Sequence, residues 1–224
     1  MALGTAHMLG YKLARNFNMP YVAANVAEFW HRWHISLSTW LRDYLFIPMG
    51  GSRGTAWQTN RNLMITMVLG GLWHGAAWTF VMWGFLHGLL LIIHRQFRAF
   101  CETRPSLSNA LSTVPGTAFR IATTFLCVCL CWVFFRATTF SHATEILTRL
   151  FWLQEGKTAP LPYDSLSALA LLLLVGHVVG RSGVWKGVTC RVPAPIWGGA
   201  YAGLATLAMV FAAEAGNVFI YFQF

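Results

Sequence analysis

"LMITMVLGGLWHGAAWTFVMWGFLHGLLLII", residues 63–93, holds no Asp, Glu, Lys or Arg. One membrane crossing needs roughly 20 apolar residues, so this run is too long for one straight helix. Its middle, "GGLWHGAAW" at residues 70–78, carries three glycines. Glycine weakens a helix interior and marks breaks. The run therefore reads as two segments, a hairpin or re-entrant pair, turning near His74.

Three further apolar regions follow: Ala118–Phe135, Leu166–Gly180 (short for a full crossing) and Ile196–Ala213. The 224 residues are 56% hydrophobic and 10% charged. A soluble domain carries about 25% charged residues, so this chain has too little charge to coat a surface in water. Seventeen Phe and eleven Trp suit a membrane protein with aromatic belts. Glycines four apart, at 71/75, 84/88, 176/180 and 199/203, let membrane helices approach closely. The expected fold is all-α, a polytopic helical membrane bundle forming one membrane domain over residues 1–224.

The net charge of +9 does not point to nucleic acid, because the basic residues sit singly at the edges of apolar runs and no nucleic-acid module is present. They read instead as topology signals, since basic loops prefer the cytoplasm. Segments 1–61, 95–117 and 181–195 are basic, whereas 136–165 is balanced. All three basic segments can lie inside only if 63–93 enters and returns, which leaves the C-terminus outside. Cys127, Cys129 and Cys131 alternate and share no helix face, so they read as packing residues. The first residues lack the pattern of a signal peptide.

Between Glu28 and Gly51 lies "EFWHRWHISLSTWLRDYLFIPMGG", a polar cluster in an apolar chain. From Val26, apolar residues fall at 26, 30, 33, 37, 40, 41 and 44, which predicts one helix ending by Ile47, before Pro48. On that helix His31, Ser38 and Arg42 line up, with Glu28 and His34 flanking them. Composition favours an amphipathic helix lying on the membrane. The His31/His34 spacing lacks the further ligands a zinc site needs, so no metal is expected. His74 reads two ways on physics alone. It is a functional group at membrane depth, or a neutral histidine hydrogen-bonded between helices. His87, His94 and His177 read as packing or interfacial residues.

The stretch at 29–51, "GLWHGAAWTFVMWGFLHG", "WVFFRA" at 132–137 and the closing "FIYFQF" together resemble the membrane-bound O-acyltransferase (MBOAT) family. They are most similar to its bacterial alginate O-acetylation branch, to which the D-alanyl transferases of teichoic acid are related. The resemblance runs the length of the chain but covers only the C-terminal half of such proteins, so a fragment or a mis-called start is expected. It implies a partial MBOAT fold and places the catalytic histidine at His74. It puts the second polar site residue, Asn in many eukaryotic relatives, at His34. Arg42 and Asp43 match an "RDY" motif and are expected to be structural.

The implied reaction moves an acyl group from a cytoplasmic thioester (acetyl-CoA or an acyl carrier, a substrate rather than a tightly bound cofactor) to a hydroxyl. His74 serves as general base; His34 orients the donor or stabilises the oxyanion. Sharing one reaction centre, the two imidazoles are expected to face a common polar cavity. The expected acceptor is an exported, alginate-like polysaccharide or an extracytoplasmic esterase-like partner, at the bacterial inner membrane. D-alanyl transfer to teichoic acid and an inactive membrane scaffold are the alternatives.

Overall fold

A computed structural model describes residues 2–152, 163–182, 187 and 191–211 of the chain. The closing "FIYFQF" and Phe224 lie outside the described residues. Every regular element among those described is a helix, in the order α1 Ala2–Met8, α2 Val26–Arg32, α3 Ile35–Leu41, α4 Ala56–Trp73, α5 Trp78–Glu102, α6 Pro105–Ser112, α7 Val114–Arg136, α8 Phe140–Phe151, α9 Tyr163–Ser182 and α10 Ala194–Phe211. A short 3-10 turn at Pro20–Val22 precedes α2, and a π-helical stretch, Arg42–Phe46, continues α3. The chain divides into two compact units, Met1–His177 and Val178–Phe224. The second contains α10, in which Gly198, Gly199 and Gly203 have no described neighbour within 4 Å of where a Cβ would stand.

The first unit is built on the hairpin of α4 and α5. A capping box opens α4: Gln58 N–H donates to Thr55 Oγ1 at 3.2 Å, and Thr55 N–H donates to Gln58 Oε1 at 2.8 Å. These bonds satisfy donors that a helix start leaves free. The helix ends at His74, and Gly75 follows with φ +156°. A Cβ there would press on the Phe80 ring. The break expected in 70–78 is therefore present, and α5 returns antiparallel to α4. Gly71 lies against Phe80 and Gly84, and Gly84 lies against Met67 and Val68. Lipid offers apolar surfaces no reason to associate, so close van der Waals approach holds such helices together; this glycine pair permits it. At the far end, Arg95 Nη1 donates to Asn60 Oδ1 at 3.1 Å. The start of α4 and the last turns of α5, where the basic segment 95–117 begins, thus share one end, as the charge pattern requires.

Helices α5 (25 residues) and α7 (23 residues) are long and apolar enough to cross a bilayer. Only 22% and 17% of their most apolar windows are buried. Phe85, Leu89, Ile93, Phe119, Phe125 and Leu126 are exposed. A core helix of a soluble protein would bury such side chains; a helix facing lipid need not. Ala23, Val26, Phe29, Trp30, Met67, Trp83, Val128 and Cys131 form the core where α2, α4, α5 and α7 meet.

The single helix expected from Val26 to about Ile47 is corrected. The α2 helix stops at Arg32, Trp33 is extended, His34 adopts φ +43° and ψ +55°, and α3 starts anew. The cause lies outside the stretch. Asn16 accepts the free N–H groups of the second helix start, Ile35 N–H on its carbonyl and Ser36 N–H on Oδ1, both at 2.9 Å. Asn18 N–H donates to the Arg32 carbonyl at 2.9 Å. An upstream strand of chain thus supplies the hydrogen bonds that a continuous helix would have made internally. The loop after the π-helical stretch is tied down by Asn62, whose Nδ2 donates to Met49 O at 3.0 Å and Gly51 O at 3.1 Å.

Candidate active site

Much of the polar cluster at 28–43 does structural work. Asn25 caps α2 by accepting Glu28 N–H at 2.8 Å, and Glu28 Oε2 accepts Ala24 N–H at 2.8 Å. The other Glu28 oxygen holds Arg32, with Nη2 at 2.8 Å, and Arg32 Nη1 donates to Asn18 O at 3.1 Å. This network locks α2 to the upstream chain. Ser38 Oγ donates to Trp33 O at 3.1 Å. Arg42 and Asp43 form an exposed pair at 2.7 Å, and the guanidinium holds the Asp43 carboxyl below its ordinary value. His31 is exposed and lines a cavity of about 270 Å³ with Trp30, Ser38, Arg42 and Thr66. Neither His34 nor His74 lines that cavity.

His34 is set apart by the break. Its backbone is left-handed, and its ring meets Phe17 at 6.1 Å and Trp73 at 6.2 Å between centroids. His34 Nδ1 is buried with no hydrogen-bond partner among the described residues. His74 arrives from the other direction, on the α4–α5 turn, where its N–H donates to Gly71 O at 3.0 Å. Its ring touches Trp73 at 5.0 Å, Trp83 at 5.2 Å, Phe135 at 5.0 Å and Phe80 at 6.2 Å. Trp73 is thus common to both imidazoles, which cannot lie further apart than its two ring distances together.

The two histidines expected to form the site are therefore neighbours. Their surroundings differ from expectation: aromatic rings, rather than a polar cavity, line the approach. Trp73 is 60% exposed and stands at the open edge. The sequence reading missed Trp73, Trp83 and Phe135 as the walls of the site. The signals lay in the quoted motifs, since Trp73 and Trp83 fall within "GLWHGAAWTFVMWGFLHG" and Phe135 within "WVFFRA". No carboxylate contacts His74 among the described residues. No three His, Cys, Asp or Glu side chains gather among the described residues into a metal-binding group. His87 also meets Trp83, at 4.9 Å, but is fully buried, stacked on Phe29 at 6.0 Å with Trp30 at its edge.

Comparison with known proteins bears on this arrangement. Over 180 residues the chain is 44% identical to a probable alginate O-acetylase of Azotobacter vinelandii, covering 80% of this chain and 34% of that protein. It is 42% identical over 151 residues to a peptidoglycan O-acetyltransferase of Helicobacter pylori, covering 66% and 27%. A teichoic acid D-alanyltransferase of Bacillus subtilis is 31% identical over 154 residues, covering 63% and 37%. The chain spans about a third of the length of these relatives. Residues 1–135, which contain both histidines and the aromatic wall through Phe135, match the model of the MBOAT, membrane-bound O-acyltransferase family. The chain belongs to the membrane-bound O-acyltransferase family.

Proposed function

We propose that this chain carries the reaction centre of a membrane O-acetyltransferase. It moves acetyl from a cytoplasmic thioester (acetyl-CoA or an acyl carrier) to a hydroxyl on the far side of the bacterial inner membrane. The acceptor is an exported polysaccharide, or an extracytoplasmic partner that passes the acetyl group on. The observation that carries the reading is the meeting of His34 and His74 across Trp73. Acetyl transfer is favoured over D-alanyl transfer because the relatives at 44% and 42% identity are named for O-acetylation, against 31% for the D-alanyl transferase.

The chemistry needs few groups. Neutral His74 removes the acceptor's hydroxyl proton as the oxygen attacks the thioester carbonyl. The new C–O bond forms, negative charge gathers on the carbonyl oxygen, and the C–S bond breaks to release a thiolate, to which the imidazolium can return the proton. Such a base supplies about 10²–10⁴-fold. His34, by donating from a ring nitrogen, stabilises the developing oxyanion. The aromatic walls exclude water that would otherwise hydrolyse the thioester.

The test is acetyl content of the exported polymer, normalised to protein in the membrane fraction, with the substitutions made in the complete reading frame that carries these residues. His74→Ala should lower acetylation by roughly 10²-fold or more without loss of membrane insertion. Near wild-type acetylation at equal abundance would make His74 a packing residue and end the proposal.

A further inference from the structure

We infer that the cleft between α5, α6 and α7 is a binding site for an anionic phospholipid, holding its phosphate on arginine and one acyl chain along an apolar wall. The cavity measures about 410 Å³, within the size range of small-ligand sites. It has room for a phosphodiester headgroup and the first methylenes of a chain, leaving the remaining hydrocarbon in the bilayer. Its walls are Leu90, Ile93 and Phe97 from α5, Leu111 from α6 and Phe119 from α7. Ile93, Phe97 and Phe119 are exposed, so the wall continues the lipid-facing surface of the two long helices.

Cations gather in the same cleft. Arg98 and Arg120 both line it. Arg98 engages Glu102 at 3.5 Å through Nε, which leaves its terminal nitrogens free to donate. Arg120, half-buried, forms no ion pair among the described residues. Ser108 and Thr123 add hydroxyls. Two guanidinium groups without enough carboxylate to neutralise them, set where the wall meets the 95–117 loop, are complementary to a phosphate. A fully water-soluble phosphate compound would leave the apolar wall unused, whereas a phospholipid uses both parts. The basic loop also favours the cytoplasmic leaflet, where anionic lipid is recognised by such pockets between helices.

The experiment titrates the detergent-purified chain with phosphatidylglycerol or phosphatidylcholine and counts bound lipid by native mass spectrometry. Phosphatidylglycerol should be retained in preference to phosphatidylcholine. Arg98→Gln and Arg120→Gln should each reduce that preference about fivefold. Arg53→Gln, exposed and outside the cleft, should leave it unchanged. Equal retention of the two lipids, or undiminished preference in the double variant, overturns the inference. So does displacement of the lipid by inorganic phosphate or coenzyme A, which would assign the cleft to a soluble phosphate. Should the glutamine variants fail to fold, wild-type protein irradiated with a phosphatidylglycerol bearing a photoreactive acyl chain decides the matter. Label on the peptides containing Phe97 or Phe119 supports the site, and label confined to other peptides removes it.

Discussion

At the scale of the residue, the backbone of His34 explains more than its ring does. A left-handed conformation costs most residues about 1–2 kcal/mol, and Asn, Asp and His accept it more readily than others. The resemblance places Asn or His at this position; both side chains tolerate that backbone and both donate hydrogen bonds. His34→Asn should therefore keep stability and part of the acetylation. His34→Gly should keep stability, because glycine adopts φ +43° freely, yet lose roughly tenfold or more of the acetylation. His34→Val should lower the unfolding free energy in detergent by about 1–3 kcal/mol, since a β-branched residue is strained there. If Gly and Val are equally stable, the backbone account is wrong; if Gly is fully active, the ring has no role. Periodicity from Val26 onward could not show this break. The hydrogen bonds that end one helix and start the next come from Asn16 and Asn18, which no pattern within the stretch encodes. That His34 and His74 come near one another was expected from the resemblance, whereas physics alone left the role of His74 undecided.

The α4–α5 hairpin shows what glycine spacing does and does not reveal at the scale of the element. Four glycine pairs with the same spacing read alike in the sequence. Gly71, Gly75, Gly84 and Gly88 stand where a Cβ would crowd a neighbour, whereas Gly176, Gly199 and Gly203 have none within 4 Å among the described residues. The spacing makes close approach permissible without naming a partner; the turn at His74–Gly75 supplies one for the first two pairs. A Cβ on Gly84 would run into the backbone of Met67 and Val68, which cannot swing aside as a side chain can. Gly84→Ala should therefore push α5 from α4 and cost about 1–3 kcal/mol in the unfolding free energy. The same displacement would move Trp83 away from His74, so acetylation should fall further than stability alone explains. Gly176→Ala, in open space, should shift stability by no more than about 0.5 kcal/mol. An equal change at both sites would show that contact between α4 and α5 does not set the cost at Gly84.

At the scale of the whole molecule, charge and the place where the hairpin closes predict an orientation. Basic segments 1–61 and 95–117 can share one side of the membrane only if the chain between them returns, and the Asn60–Arg95 hydrogen bond joins those two segments at one end. The His74 turn lies at the other end of α4. Fourteen residues on from Asn60, it stands about 20 Å away along the helix axis. The hydrocarbon layer is about 30 Å thick, so a hairpin starting at the cytoplasmic edge brings His74 deep into the membrane without carrying it across. That depth suits a group meeting a donor from one side and an acceptor from the other. From the 95–117 loop, α7 must then leave the cytoplasmic side, which places the loop after Ala137 outside. An alkaline phosphatase reporter, active only after export, should be inactive when fused after Ser106 and active after Ser141. With the basic segment 181–195 back inside, a fusion after Phe224, beyond the described residues, should again be active. Activity at Ser106 would mean that α4 and α5 together carry the chain to the far side. It would put the arginines of the α5–α7 cleft in the outer leaflet and remove the cytoplasmic access that the proposed donor needs to reach His74.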